Sequence, residues 1–264
     1  MNTALQVHRD GPVAHVILDR ADRRNAFDAA VVSGLTSVFM TLSTQPELRA
    51  VVLRAAGPTF CAGADLHWMQ SMAEASHDDN LRDARQLANM LWAIDHCPVP
   101  VIAAVQGDCH GGGVGLVAAC DIALAVPEAG FSLSEVRLGL VPATISPYVL
   151  RALGERAARR YMLTAERIDA QRALDLGLVH DLCSAEQLQT RAHDLARTIA
   201  GHGPHAVRTT KRLIRDVCAQ PAGADLRDDT ARCIADIRTG PEGQAGIQAF
   251  LQRTVPPWRL PETP

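Results

Sequence analysis

Residues 99–121 read VPVIAAVQGDCHGGGVGLVAACD, and the rest of the chain is arranged around them. They open with an apolar run from Val99 to Val105, which is typical of a strand buried on both faces. A glycine-rich part at 107–115 follows, and an apolar pattern at 116–119 then predicts a helix. A glycine-rich turn that enters a helix leaves backbone N–H groups free at the helix N-terminus. The stretch therefore predicts backbone donors directed at an anion, or at an oxygen that becomes one.

Two kinds of site fit such a turn. The first is a dinucleotide site, because Gly113, Gly115 and Ala118 match the loose pattern G-x-G-x-x-G/A. Glu135 follows at a suitable distance for the carboxylate that binds the ribose of the dinucleotide. That pattern ordinarily opens the first βαβ unit of a domain, whereas residues 4–98 already carry strand and helix patterns here. The other kind is an oxyanion hole, in which backbone N–H groups stabilise charge on a carbonyl oxygen. An oxyanion hole requires a second donor from elsewhere in the chain.

Composition restricts the class of protein. The chain has 264 residues, 47% hydrophobic and 21% charged, which is typical of a globular protein long enough for one large domain. Its net charge of −3 gives no electrostatic argument for nucleic-acid binding. Seven cysteines follow no disulfide framework and the start, MNTALQVHRD, has no apolar signal region, so we expect a cytoplasmic protein. We expect neither a membrane span nor a metal site from the apolar runs and the histidine and cysteine spacings.

Strand and helix patterns alternate over the first part of the chain, which predicts βαβ units and a mostly parallel sheet. The predicted elements are a hairpin over 4–19, a helix over 29–43, a strand over 50–55, helical structure over 66–95 with a polar portion at 74–80, a strand over 122–126, and a short strand and turn within 131–142. From residue 146 onward the pattern is helical. The helices are predicted over 146–164 with a bend near Gly154, and over 185–200, 204–220, 222–237 and 241–253.

A second turn of small residues supplies the missing donor. In TFCAGADL (59–66) a strand end passes through the turn into a helix that begins near Asp65, an acceptable N-cap residue. Such a turn lets another group approach the backbone, although a tight left-handed turn needs the same residues. Glu135 lies in a mostly apolar segment, and a carboxylate beside two N–H donors is what proton transfer next to a carbonyl requires. The alternative for Glu135 is a surface position paired with Arg137.

Three motifs carry a resemblance to a known family. FCAGADL (60–66), the segment from the GGG run to ACD (111–121) and EVRLGLVP (135–142) together resemble the enoyl-CoA hydratase/isomerase, or crotonase, family. The likeness runs nearly end to end, from RRNA (23–26) to EGQAGIQAFLQR (242–253). It implies an α/β crotonase fold of repeated ββα units that form a spiral core, and an acyl-CoA as substrate.

The resemblance also implies an organisation of the chain and of its assembly. A crotonase core would cover residues 1–200 and a C-terminal helical trimerisation region would cover 201–264. The family assembles as homotrimers or as hexamers made of two trimers. Phe250 would approach the CoA of a neighbouring subunit. No cofactor is implied, since CoA enters as part of the substrate.

Functional residues follow from the resemblance by matching positions. The backbone N–H groups of Ala64 and Gly112 would form the oxyanion hole, and Glu135 would be the general acid/base at the substrate α-carbon. The residues along the CoA moiety would be Arg24, Ala62, Asp65 and Leu66.

One departure from the family pattern concerns the second catalytic carboxylate. Two-glutamate hydratases carry it three residues after the middle glycine of the GGG run, where this chain has Gly115. Either another group such as His110 or Asp108 holds the water, or Glu135 handles both proton transfers, or the reaction is not hydration. A Δ3,Δ2-enoyl-CoA isomerase needs one carboxylate, although one isomerase branch has a glutamate where Ala143 stands here.

A narrower resemblance suggests the substrate. GGGVGLVAACDIALA and SEVRLGLVPATISPYV resemble bacterial 3-methylglutaconyl-CoA and isohexenylglutaconyl-CoA hydratases of leucine and acyclic terpene degradation, including the missing second glutamate. This resemblance implies hydration of a branched glutaconyl-CoA. Such substrates carry a distal carboxylate, for which Arg137, His67 and Arg82 are the candidate partners.

A non-catalytic crotonase-like module that binds RNA or a protein is an alternative of another class. It predicts a clustered basic surface. The arginines that would form it are Arg151, Arg156, Arg159 and Arg160, whose spacing also fits an ordinary exposed helix face.

Overall fold

A computed structural model describes residues 4–220 and 222–260, which form nine strands and ten α-helices. The strands are β1 (Leu5–Asp10), β2 (Val13–Leu18), β3 (Ala50–Ala55), β4 (Val101–Val105), β5 (Cys109–His110), β6 (Ile122–Ala125), β7 (Gly130–Ser132), β8 (Ile168–Asp169) and β9 (Asp181–Leu182). The helices are α1 (Ala29–Ser43), α2 (Leu66–Glu74), α3 (His77–Asp95), α4 (Gly112–Ala119), α5 (Ser146–Thr164), α6 (Ala170–Asp175), α7 (Ala185–Ala200), α8 (Pro204–Cys218), α9 (Ala224–Thr239) and α10 (Pro241–Gln252). Short 3-10 helices cover Ala21–Arg23 and Glu135–Leu138.

The strands form two sheets. The larger has the order β1-β2-β3-β4-β6-β9, in which β1 and β2 are antiparallel and every other neighbouring pair is parallel. The smaller has the order β5-β7-β8. The predicted hairpin and the mostly parallel sheet are confirmed, and the apolar runs of β3 and β4 are buried as their composition predicts.

The core lies between the large sheet and the helices that cover it. Helix α7 packs on β2, β3 and β4 through a buried stripe of small residues, Ala192, Ala196 and Ala200. Small side chains let a helix backbone lie close to a sheet, which brings the two layers into contact. Helices α1 and α3 pack on each other. Among the described helices, none combines the length and the apolar composition of a membrane span.

Two predicted segments differ from the structure. The helical segment 66–95 is two helices, because Ala75 is extended and the Ser76 hydroxyl accepts a hydrogen bond from the Asp79 N–H to begin α3. Within 131–142 the strand ends at Ser132, and the turn is the 3-10 helix that starts at Glu135. The bend in α5 lies at Gly154, where φ is +73°, as predicted.

The C-terminal helices α8–α10 are tied to the core by long cationic side chains. Arg49 donates to the carbonyl oxygens of Ala200 and Trp258, both at 2.7 Å. Lys211 of α8 donates to Asp121 at 2.6 Å, directly after α4. These contacts link the two parts of the chain across residue 200. The division at that residue into a core and a trimerisation region stays a prediction.

Candidate active site

The two loops that carry the predicted donors meet at one edge of the large sheet. Strands β3 and β4 are parallel neighbours, so the chain leaves both at the same edge. The loops are joined there by an isolated bridge between Cys61 and Cys109 and by a hydrogen bond of 2.9 Å from the His110 N–H to the Cys61 carbonyl. Sheet topology therefore brings together two motifs that are far apart in the sequence.

The first donor lies at the start of α4. Gly111 precedes the helix with φ of +50°, and the N–H of Gly112 stands in the first helical turn, where no acceptor within residues 4–220 and 222–260 is paired with it. A Cβ atom at residue 112 would lie 2.7 Å from the Phe27 ring. Glycine is therefore required at 112 because Phe27 packs against the backbone there.

The second donor lies in the turn before α2, and Phe27 holds this turn as well. The Phe27 N–H donates to the Gly63 carbonyl and the Asp65 N–H donates to the Phe27 carbonyl, both at 2.7 Å. Ala64 lies between these two bonds, and its own N–H donates to no acceptor in the described part of the chain. Phe27 thus positions both loops while it leaves the N–H groups of Ala64 and Gly112 available.

Glu135 is the first residue of the 3-10 helix after β7. Pairing of β7 with β5, and a 2.8 Å hydrogen bond from the Gly111 N–H to the Ser132 carbonyl, bring this helix to the start of α4. The Oε2 atom of Glu135 is buried and has no hydrogen-bond partner among the described residues. Burial raises the pKa of the Glu135 carboxyl, against the smaller opposing effect of a backbone hydrogen bond.

A cavity of about 340 Å³ connects these groups. Glu135 is its one carboxylate, and neither lysine nor arginine belongs to the described residues that line it. Most of the lining is apolar and comes from α2, α3, the segment after Glu135 and Phe27. The apolar lining residues include Phe27, Leu66, Trp68, Met69, Leu87, Leu138 and Ile145, and the polar ones include His110, Ser134 and Thr144. The arrangement suits an apolar group with one end placed beside the two donors and the carboxyl group.

Asp65 lies between Ala64 and Leu66, which line the cavity, and it organises the start of α2. Its side chain caps α2 by accepting from the N–H groups of His67 at 2.9 Å and Trp68 at 3.4 Å, and Arg23 and Arg20 lie within 4 Å of it. Burial acts to raise the Asp65 pKa, but these hydrogen bonds and positive charges outweigh burial and lower it. Asp65 is therefore an ionised helix cap within the proposed CoA site.

The other predicted CoA residues surround Asp65. Leu66 is 77% exposed and lines the cavity together with Ala62. The Ala62 N–H donates to the Arg24 carbonyl at 3.0 Å, which places Arg24 beside it on the surface. Buried Asn25 anchors the Arg24 loop by donating to the carbonyls of Ala56 and Thr59, both at 2.8 Å. Phe250 lies on α10, is 83% exposed and does not line this cavity, so its role at a neighbouring subunit stays a prediction.

The three candidates for a substrate carboxylate lie outside the cavity lining. Arg137 donates to the Ala165 carbonyl at 2.5 Å, so it is not the ion-pair partner of Glu135 that the sequence left open. His67 is exposed beside Asp65, and Arg82 is paired with Asp79. The structure does not bring these side chains together around Glu135.

The two candidates for holding water are separated. His110 lines the cavity, whereas Asp108 does not and forms an ion pair of 3.0 Å with Arg167. Ala143, where one isomerase branch has a glutamate, is not part of the lining either. His110 is therefore the candidate that shares the cavity with Glu135.

Neither the dinucleotide interpretation of the glycine run nor the basic-surface interpretation of α5 is favoured by the structure. A Cβ atom at Gly113 would lie 2.8 Å from Cys61, and one at Gly115 would lie 2.2 Å from Ile145, so protein atoms and not a dinucleotide occupy the space these glycines leave. Of the arginines on α5, Arg151, Arg159 and Arg160 are paired with Asp95, Glu155 and Glu166.

In residues 4–220 and 222–260, no group of three or more His, Cys, Asp and Glu side chains is arranged to hold a metal ion.

Fold and site together define an α/β protein in which one carboxyl group and two loops with free backbone donors line a mostly apolar cavity. The chain belongs to the enoyl-CoA hydratase/isomerase family, whose sequence profile matches residues 8–260. It has the crotonase fold, and hydratase-type enzymes of this family are among its relatives. The enoyl-CoA hydratase AKT6-1 of Alternaria alternata is 34% identical over 248 residues, which cover 93% of this chain and 80% of that one.

Comparison with solved structures shows the same fold over nearly the whole chain. An enoyl-CoA hydratase from Shewanella pealeana superposes with a TM-score of 0.93 at 41% identity, over 97% of this chain and 96% of that one. Pseudomonas aeruginosa AtuE superposes with a TM-score of 0.92 at 35% identity, over 97% of this chain and 99% of that one. Both likenesses extend over nearly the whole chain, including the C-terminal helices.

Sequence reasoning missed several residues that shape the cavity. Phe27 holds both donor loops, and Trp68 is fixed by a 3.0 Å hydrogen bond from its indole N–H to Asp83 of α3. Ile145 lies against Gly115. The glycine at 115 was a signal that some side chain packs there, but it does not say which one.

Proposed function

We propose that the protein adds water across the double bond of a 2,3-enoyl-CoA thioester. The N–H groups of Ala64 and Gly112 bind the thioester oxygen and stabilise the enolate that forms when water adds at the β-carbon. Loss of one such donor costs roughly 3–4 kcal/mol of transition-state stabilisation where it has been measured. The cavity also suits an acyl chain, because the lining residues that follow Glu135 are mostly apolar.

Glu135 performs both proton transfers in this proposal. Its carboxylate takes a proton from water as the oxygen bonds to the β-carbon, and the resulting carboxylic acid gives that proton to the α-carbon. The carboxylate is thereby regenerated, and atoms and charge balance. A raised pKa makes the carboxylate a better base for the first step, and it brings the group closer to neutral pH, where a group that both takes and returns a proton works best. The observation that carries the proposal is the buried and unpartnered Oε2 atom in a cavity with no other carboxylate among its described lining residues.

The acyl group proposed from the sequence is a branched glutaconyl group, such as 3-methylglutaconyl. Its distal carboxylate would lie in a cavity whose described lining has neither lysine nor arginine and offers His110, Ser134 and Thr144 as polar side chains. Binding of this substrate would therefore rest on hydrogen bonds from these groups or on a cation outside the lining, such as Arg23 beside Asp65. Comparison with crotonyl-CoA, which lacks both the 3-methyl branch and the distal carboxylate, shows whether the branched glutaconyl group as a whole is preferred.

The test is incubation of the purified protein with 3-methylglutaconyl-CoA and, separately, with crotonyl-CoA in ¹⁸O-labelled water, followed by mass spectrometry. We expect ¹⁸O in a 3-hydroxyacyl product. A higher kcat/KM for 3-methylglutaconyl-CoA supports the branched glutaconyl substrate, and a higher value for crotonyl-CoA refutes it. If neither substrate gains oxygen while a 3-enoyl-CoA is converted to its 2-enoyl isomer, the proposal of hydration is wrong and the protein is an isomerase.

A further inference from the structure

The face of α4 that follows the proposed oxyanion donor is covered by one side chain. Gly115 lies three residues after Gly112 and so on the same side of the helix. A Cβ atom at residue 115 would stand 2.2 Å from Ile145 Cγ2 and 2.8 Å from Ile145 Cβ, with Leu91 Cδ2 at 3.7 Å. A side chain at 115 therefore requires Ile145 to move.

Ile145 separates Gly115 from the cavity. It is 2% exposed and lines the cavity with Glu135, whereas Gly115 is buried behind it and does not line the cavity. The wall that Ile145 forms is rigid for two reasons. Its carbonyl accepts hydrogen bonds of 3.1 Å from the N–H groups of Tyr148 and Val149 in the first turn of α5, and its side chain is branched at Cβ.

We propose that Ile145 is the specificity-determining residue of the acyl cavity. Its side chain closes the cavity at Gly115, limits the length of the acyl chain and keeps this face of α4 free of a second carboxylate. Glu135 then remains the sole carboxylate among the described residues at the acyl group. This inference rests on the proposed function, since it takes an acyl-CoA as the ligand.

The test measures binding of unreactive saturated thioesters, butyryl-CoA and decanoyl-CoA, by calorimetry. In Ile145→Ala the cavity extends toward Gly115 and Leu91. One methylene in an apolar pocket changes discrimination by roughly 10- to 200-fold. We therefore expect the ratio of Kd for butyryl-CoA to Kd for decanoyl-CoA to rise by at least about tenfold over the wild type.

Ile168→Ala is the matched control. Ile168 is an equally buried isoleucine of β8 that does not line the cavity, so its truncation costs stability without changing chain-length preference. An unchanged ratio in Ile145→Ala, or an equal rise in Ile168→Ala, overturns the inference. If Ile145→Ala does not fold, Ile145→Cys takes its place, because cysteine has one γ atom where isoleucine has two and so also thins the wall at Gly115. We expect a smaller rise in the same direction, and no rise again overturns the inference.

The binding readout separates this inference from the proposed function. Saturated acyl-CoAs cannot be hydrated, so the change in chain-length preference is measured whether or not the protein is a hydratase. A chain-length shift together with absent hydration refutes the proposed function alone. Hydration by the wild type with no chain-length shift in Ile145→Ala refutes the role of Ile145 alone, and absence of acyl-CoA binding by the wild type refutes both.

Discussion

The carboxyl group of Glu135 lies directly against the backbone of Gly111. A Cβ atom at residue 111 would stand 3.1 Å from Glu135 Oε1 and 3.6 Å from the carboxyl carbon. Gly111 also has φ of +50°, in the left-handed region, and immediately precedes the N–H of Gly112. One glycine therefore sets how closely the proposed acid/base approaches the proposed oxyanion donor.

Gly111→Ala tests this relationship. The added methyl group would lie 3.1 Å from Glu135 Oε1, so the carboxyl group must shift by a few tenths of an ångström. Because a misplacement of about 1 Å can cost roughly 100-fold in rate, we expect this smaller shift to lower kcat for enoyl-CoA hydration by about three- to tenfold, measured from the loss of enoyl thioester absorbance.

Gly11→Ala is the control for backbone strain. Gly11 has φ of +53° in the turn between β1 and β2, and nothing lies within 4 Å of its Cβ position. Both substitutions force a side chain to positive φ. Gly11→Ala should lose roughly 1–2 kcal/mol of stability, and Gly111→Ala should lose more, because φ of +50° with ψ of −117° is a conformation essentially confined to glycine. Equal kcat values for the two variants would show that contact with Glu135 has no role.

Removal of the Asp65 cap should weaken acyl-CoA binding. Asp65→Ala frees the first turn of α2, which carries Leu66, and removes the negative charge beside Arg23 and Arg20. Loss of such a cap costs roughly 0.5–2 kcal/mol of stability. We expect KM for the acyl-CoA to rise with kcat little changed, as steady-state kinetics would measure.

Asp169→Ala provides the comparison for that variant. Asp169 caps α6 in the same way, accepting from the Arg172 N–H at 2.7 Å, and it does not line the cavity. Its loss should cost similar stability and leave KM unchanged. The interpretation of Asp65 as part of the CoA site is contradicted if both variants raise KM equally.

Burial of Glu135 should cost stability. Its pKa in the folded chain lies above the ordinary value of 4.5. At pH values between 4.5 and the folded pKa, the folded chain therefore binds more protons than the unfolded chain. The free energy of unfolding decreases as pH rises through this range, and the full loss of stability is reached above the folded pKa. We expect Glu135→Gln to raise Tm at neutral pH, with the difference from the wild type shrinking as pH falls toward 4.5. Calorimetric scans across this pH range check the sign, and a lower Tm for Glu135→Gln at neutral pH contradicts it.

The features that the sequence predicts correctly are those that depend on residues close together along the chain. The apolar run before Gly107 predicts a buried strand, the small-residue turn before Asp65 predicts a capped helix, and both are present in the structure. The two-residue strands β5, β8 and β9 are too short to show a periodicity. They form because longer elements bring their backbones side by side.

Contacts between distant segments of the chain could not be predicted from the sequence. Nothing in the residue types shows that Ile145 fills the space at Gly115, since thirty positions and a sheet crossing separate them. The acceptor of Arg137 is a backbone carbonyl, that of Ala165, and carbonyls carry no signal in a sequence. A side chain that pairs with a backbone carbonyl therefore cannot be told from one free to bind a carboxylate, and the sequence left both a substrate carboxylate and Glu135 open as partners of Arg137.

The central claim is that Glu135 alone moves both protons, and turnover of Glu135→Gln tests it most directly. Glutamine preserves the shape of the side chain and removes the acid/base group, whose contribution in enzymes is about 10²- to 10⁴-fold. Glu155→Gln, an exposed substitution on α5, is the control. We predict that kcat for enoyl-CoA hydration falls by at least about 100-fold in Glu135→Gln and is unchanged in Glu155→Gln. A Glu135→Gln enzyme that retains kcat within about tenfold of the wild type would contradict the account.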